Sequence, residues 1–163
     1  MKVAIVSDIH DNILKLEKMI NFLKEIDADG IIFLGDLVSP FVIKFIGNIW
    51  EKKFWGVFGN NEGDVGVIKD FSLKFENIDI EGKFRILKIK DLEIAIMHEP
   101  LHLKFVPENV KFIFYGHTHK VDVKEEKGRL IINPGELCGW LTGKSTFVIF
   151  DFETLNFAFK EVK

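Results

Sequence analysis

The sequence predicts an α/β fold in which two sheets pack face to face and helices cover their outer faces. Three observations carry this. Up to about residue 75, strand-like and helix-like periods alternate, as they do when crossover helices join parallel strands. Beyond that point short strand-like runs dominate, too many for one sheet in a chain of 163 residues. Hydrophobic residues make up 47% of the chain and 17 residues are Phe, enough to line two apolar inner faces.

Each element can be justified in order. Val3-Ala4-Ile5-Val6 is a continuous apolar run, the mark of a buried strand. Asp11 or Asn12 can cap the helix that follows. In that helix Ile13, Leu16, Ile20 and Leu23 share one face, with Lys15, Glu17, Lys18 and Lys24 largely on the other. Ile31-Ile32-Phe33-Leu34 is the second strand, and Pro40 opens a helix through Val42, Ile43, Phe45 and Ile46. The run from Phe54 to Phe58 is the third strand, followed by a helix from about Asp64 to Phe75. Residues 84–89 then alternate and turn back at Asp91-Leu92 into the run 93–97. After the strand Phe112-Ile113-Phe114-Tyr115, the runs 121–123 and 130–132 flank a hairpin turn at Glu126-Lys127-Gly128. A last pair, 147–150 and 155–159, is joined by a turn from Asp151 to Thr154. No repeat, low-complexity tract or linker divides the chain, so residues 1–163 read as a single domain.

Charge and cysteine usage narrow the setting. The formal net charge of −3 implies no global attraction to nucleic acid or to an anionic membrane. Cys138 is the one cysteine and can form no internal disulfide, which fits a reducing compartment. The N-terminal apolar run is too short for a signal peptide and meets Asp8 at once. No segment approaches the roughly 18 apolar residues of a membrane span. The expectation is a soluble cytoplasmic protein, with a homo-oligomer possible.

The apolar runs end in residues that bind metals. The first meets Asp8 and His10, the second Gly35-Asp36, and the third Gly59-Asn60-Asn61-Glu62. The run 94–97 meets His98, and the run 112–115 meets Gly116-His117-Thr118-His119. Open α/β sheets bind ligands outside the carboxyl ends of their strands. Asp8, His10, Asp36, Asn60, His98, His117 and His119 therefore form a candidate convergent metal centre. Two-metal hydrolytic sites need a carboxylate that bridges ions about 3.5–4 Å apart, with imidazoles around them. Only Asp8 and Asp36 in this set are anionic, so two divalent ions would leave the site positive and suited to a phosphate ester. Mixed Asp, His and Asn ligation suits Mn, Fe, Zn, Ni or Co better than Ca.

The ordered set Asp8-x-His10, Gly35-Asp36, Gly59-Asn60, His98 and Gly116-His117-x-His119 resembles the calcineurin-like metallophosphoesterases. The short length and Asn133-Pro134-Gly135 resemble the small archaeal and bacterial phosphodiesterase branch. The resemblance implies a four-layer αββα sandwich of two mixed sheets flanked by helices. It also implies two divalent transition metal ions, manganese first among them. Asp8, His10, Asp36 and His119 would hold one ion, and Asp36, Asn60, His98 and His117 the other. The implied reaction is phosphodiester hydrolysis by a hydroxide that bridges the metals.

Two positions depart from the family pattern. Asn61 stands where the family has a His, and an amide can donate a hydrogen bond but cannot act as an acid. Asn61 is therefore expected to steady the phosphoryl group, the one catalytic role assigned outside the metal ligands. His98-Glu99-Pro100 replaces a His-Gly-His pattern, keeping the ligand and losing the second His. Other residues have plainer readings. His102 reads as an exposed loop histidine, and Glu62 as the residue that orients the Asn60 loop. Cys138 reads as a small buried hydrophobe, with a site role as the lesser alternative. Trp140 reads equally as a pocket wall or an exposed edge. The rival to an enzyme is a protein-interaction scaffold of the same fold, like the retromer subunit, with little or no catalysis.

Overall fold

The computed structural model describes residues 1–163. β1 (Lys2–Val6), α1 (Ile13–Glu25), β2 (Gly30–Phe33), α2 (Pro40–Ile49), β3 (Lys53–Gly56), α3 (Val65–Ser72) and β4 (Ile78–Ile80) alternate along the first half. The second half holds β5 (Phe84–Ile89), β6 (Leu92–Met97), β7 (Phe112–Tyr115), β8 (Val121–Glu126), β9 (Arg129–Pro134), β10 (Thr146–Asp151) and β11 (Asn156–Glu161). A 3-10 helix, Pro100–Phe105, lies between β6 and β7.

The strands form two mixed sheets. One has six strands in the order β11-β10-β1-β2-β3-β4, and the other five in the order β5-β6-β7-β9-β8. β1 to β4 run parallel, as the crossover helices require, while β10 returns antiparallel beside β1. In the second sheet β6, β7 and β9 are parallel, and β5 and β8 are hairpin partners at its edges. Both parallel sets send their carboxyl ends to one edge of the sandwich. Gly116 N–H bonds to His98 O across the end of one set, and Asp8 N–H to Gly35 O across the other.

Three apolar layers hold the sheets together. Leu16, Met19, Ile20 and Leu23 of α1 and Val42, Ile43 and Ile46 of α2 pack on Ala4, Val6, Ile31 and Phe33 of the first sheet. Val3, Ile5, Ile32, Val148 and Phe150 meet Ile94, Ile96, Phe114 and Ile132 between the sheets. Ala95, Met97, Ile113 and Ile131 on the far face of the second sheet are covered by Val106 and Val110. That outer layer is a 3-10 helix and a loop rather than a full α-helix. Pro100 and Pro107 bracket the segment, and none of the residues of the 3-10 helix is fully buried. The phenylalanines serve two cores, with Phe33, Phe54 and Phe147 under the helices and Phe114 and Phe150 between the sheets.

Local expectations differ from the structure in small ways. β4 was not anticipated, because Ile78-Asp79-Ile80 is too short to show a period. The hairpin joining β5 and β6 turns at Lys90-Asp91, one residue earlier than expected, because Ile89 pairs with Leu92. The third helix is shorter than expected. It starts where the Asp64 side chain accepts from Val67 N–H and ends at Ser72. Asn12 is the cap of α1, accepting from Lys15 N–H at 3.2 Å. Its amide also donates to Cys138 O at 2.8 Å, tying the start of α1 to the loop after β9.

Candidate metal centre

The strands end in unusual backbone. Asp8, His10, Asp36, His117 and His119 all have positive φ, between 39° and 69°. Non-glycine residues rarely adopt this region, and such strain persists where the surroundings impose it. Glu62 is one source of that constraint. Its carboxylate accepts from the N–H groups of Asp36, Leu37, Val38 and Gly59, bracing the loop after β2 against the loop after β3. Val38, a β-branched residue at φ 76°, is held left-handed by this brace and by Gly63 N–H, which bonds to its carbonyl. The expectation for Glu62, that it orients the Asn60 loop, matches this geometry.

The side chains converge at the sheet edge. Asp36 Oδ2 lies 3.6 Å from His10 Nε2 and 3.4 Å from His98 Nε2. Asp8 Oδ1 lies 3.7 Å from His10 Nε2 and 3.2 Å from His119 Nε2. Asn60 Oδ1 lies 2.9 Å from His98 Nε2 and 2.8 Å from His117 Nδ1. The rings of His10 and His119 stack at 5.0 Å, and those of His98 and His117 meet edge-on at 5.1 Å. His117 and His119, two residues apart, thus meet different partners, Asn60 and Asp8. Asn61 sits at the mouth. Its N–H donates to Asp36 Oδ1 at 2.7 Å, and its side-chain amide lies 3.4 Å from His10 Nδ1.

Hydrogen bonding shows what the cluster lacks. Leu34 O can only accept, so His98 Nδ1 donates to it at 2.7 Å, and the neutral ring presents its Nε2 lone pair to Asp36 and Asn60. Lone pairs thus face carboxylate and amide oxygens. Asp8 Oδ1 and His10 Nε2 are buried without any hydrogen-bond partner. Unpartnered buried polar atoms are costly, and a cation held among them removes the cost. Asp8, His10 and His119, and likewise Asp8, Asp36 and His98, offer ligand atoms within 4.8 Å of one another. The donor set therefore fits divalent cations. Charge shifts point the same way. The neighbouring Asp8 carboxylate holds the pKa of His10 above its ordinary value. Burial opposes charge on His98 and Asp36, but each stabilises the other, so that His98 is raised and Asp36 lowered.

Comparison with known proteins identifies the family. Residues 1–155 match the model of the calcineurin-like phosphoesterase superfamily domain. The chain belongs to the calcineurin-like phosphoesterase superfamily. It is 34% identical over 157 residues to Phosphodiesterase MJ0936 of Methanocaldococcus jannaschii, covering 94% of each chain. It also matches a solved archaeal phosphodiesterase with a TM-score of 0.89 and 32% identity, over 99% of each chain. Vps29 of Entamoeba histolytica, solved in complex with Zn2+, shares the fold at a TM-score of 0.61 and 16% identity, over 99% of this chain and 98% of that one.

Within this phosphoesterase framework one residue escaped the sequence reading. Glu136 is fully buried and accepts from His119 Nδ1 at 2.8 Å and from Cys138 Sγ at 3.0 Å. The signal was present. Ile131-Ile132 is another apolar run on a parallel strand, and Asn133-Pro134-Gly135-Glu136 is its ending. Asn133 Nδ2 donates to Gly116 O at 2.7 Å, bringing that ending beside His117. Cys138 is a buried thiol, pushed up to about 12 by burial and by Glu136, and is unsuited to nucleophilic work. Trp140 is 65% exposed, and its indole N–H donates to His10 O at 3.2 Å. His102 lies in the 3-10 helix, with Nδ1 3.2 Å from Glu99 O and the ring stacked on Phe84, away from the cluster. Glu99 precedes that helix and caps it with no side-chain bond. No helix is long and apolar enough to cross a membrane.

Proposed function

We propose that the protein is a metal-dependent phosphodiesterase with a binuclear centre. The observation that carries it is Asp36 Oδ2 lying within 3.6 Å of His10 Nε2 and 3.4 Å of His98 Nε2, with Asp8 Oδ1 and His10 Nε2 buried and unpartnered. Asp8, His10, Asp36 and His119 would hold one ion, and Asp36, Asn60, His98 and His117 the other. Manganese is the first expectation for both, with nickel, iron, cobalt or zinc also suited to the ligand types. Ions bound there would activate water and neutralise phosphoryl oxygens. Asp36 would be the carboxylate shared by the two ions, and Asn61 N–H, donating to its Oδ1 at 2.7 Å, would steady it. The Asn61 amide, at the mouth, would donate to a phosphoryl oxygen of a small-molecule diester. Similarity to Phosphodiesterase MJ0936 supports the diester as substrate class.

The rival reading is a partner-binding scaffold, supported by the fold shared with Vps29. That Vps29 is itself complexed with Zn2+, so metal content alone does not separate the readings, whereas turnover does. Purified protein should contain about two transition ions per chain and hydrolyse a phosphodiester panel. Asp36→Asn should lose both ions and the activity while retaining its circular dichroism spectrum. An Asp36→Asn protein with full metal content would overturn the binuclear assignment. A metal-loaded wild type inert on every diester would favour the scaffold.

A further inference from the structure

Glu136 has no part in the hydrolytic scheme above, yet it is fully buried beside His119. Apart from His119, every group around it donates. Oε1 accepts from Leu141 N–H at 3.0 Å, from Thr142 N–H at 2.6 Å and from the Thr142 hydroxyl at 2.7 Å. Oε2 accepts from His119 at 2.8 Å and from the Cys138 thiol at 3.0 Å. An ionised carboxylate has about four acceptor sites, so this one is saturated. An acceptor-only partner leaves His119 Nδ1 no role but donor. The neutral ring then carries its lone pair on Nε2, which faces Asp8 Oδ1 at 3.2 Å.

We infer that Glu136 is the positioning residue of this centre: it locks His119 as the Nδ1–H tautomer and aims Nε2 at the Asp8 side of the site. The inference rests on reading His119 as a metal ligand. The same carboxylate holds residues 141 and 142, and the preceding Trp140 donates to the carbonyl of His10. One anion therefore connects His119 to the loop that braces His10. His119, Glu136 and Cys138 are also close enough to hold an ion among themselves. Such an ion would have to displace donors that already saturate Glu136 and take the proton of a thiol held near 12. Carboxylate–histidine pairs that orient a ligand ring change metal affinity typically by 10–100-fold when broken.

Nitrogen NMR of the metal-free, histidine-labelled wild type tests the tautomer directly. His119 protonated at Nδ1 and bare at Nε2 is the expected result, and the reverse overturns the inference. Manganese titration calorimetry tests the consequence. Glu136→Gln should weaken one of two sites by roughly 10–100-fold and leave the other unchanged. Thr142→Ala removes a donor from the loop side only and should leave both affinities at wild-type values. Unchanged affinities in Glu136→Gln, or an equal loss in Thr142→Ala, would overturn the positioning role while the metal reading stands. A wild type that takes up no manganese would instead fail the metal reading. In that case, or if Glu136→Gln does not fold, the tautomer measurement decides the inference alone.

Discussion

Position 61 illustrates how a single side chain can set the chemistry of a metal site. An alkoxide leaving group needs a proton, and general-acid help typically contributes 10²–10⁴-fold. The Asn61 amide cannot supply one, and the nearest uninvolved histidine, His102, is stacked on Phe84 outside the cluster. The enzyme should therefore favour diesters with acidic leaving groups, such as nitrophenyl esters, over alkyl phosphomonoesters. Asn61→His should raise kcat on alkyl diesters more than on nitrophenyl diesters, with metal content unchanged. Equal wild-type efficiency on alkyl monoesters and nitrophenyl diesters would sink this account. Residues of this kind were legible because they follow apolar runs and carry donor atoms. Glu136 and the Asp8 backbone were not. A Glu in a Pro-Gly loop looks solvated until the fold brings donors to both its oxygens. A left-handed Asp8, φ 55°, leaves no mark on local composition.

At the scale of elements, the site depends on how closely two strand-end loops approach. A methyl group added at Gly59 would meet the Asp36 side chain inside contact distance and the Asp36 nitrogen at 2.5 Å. Asp36 and Gly59 share the Glu62 carboxylate, so neither loop can retreat without losing that brace. Gly59→Ala should therefore displace Asp36. Overpacking of this sort typically costs ~1–3 kcal/mol, measurable by urea denaturation, and metal content should fall with it. A Gly59→Ala protein with wild-type stability and metal content would show that the loops have slack the geometry does not suggest. Helix and strand identities were readable because α1 and α2 are strongly periodic and the hairpin at Lys127-Gly128 has its own turn chemistry. β4 and the 3-10 helix were not, because three residues or a proline-bracketed segment carry no period.

Across the whole molecule, the centre puts competing demands on stability through protons and metal. In the metal-free protein, Asp8 and Asp36 sit among imidazoles with no other countercharge, and His10 and His98 are both raised above 6.5. A raised histidine contributes stability that is fully present below about pH 6.5 and is lost as pH climbs through its folded value. Asp36, lowered below 3.8, contributes stability present above that value and lost as pH falls through its folded one. Without metal the protein should therefore weaken as pH rises above about 6.5. Bound ions reverse the sign, because ligation needs neutral rings and becomes stronger as they lose their protons. Manganese at 100 times its Kd adds about 2.7 kcal/mol for one site, or roughly 5–10 °C in Tm for a chain of this size. Thermal melts from about pH 5.5 to 8.5, with chelator and with manganese, should give slopes of opposite sign. Parallel slopes would mean that His10 and His98 surrender no protons to the metal, and the proposed ligand set would have to be redrawn.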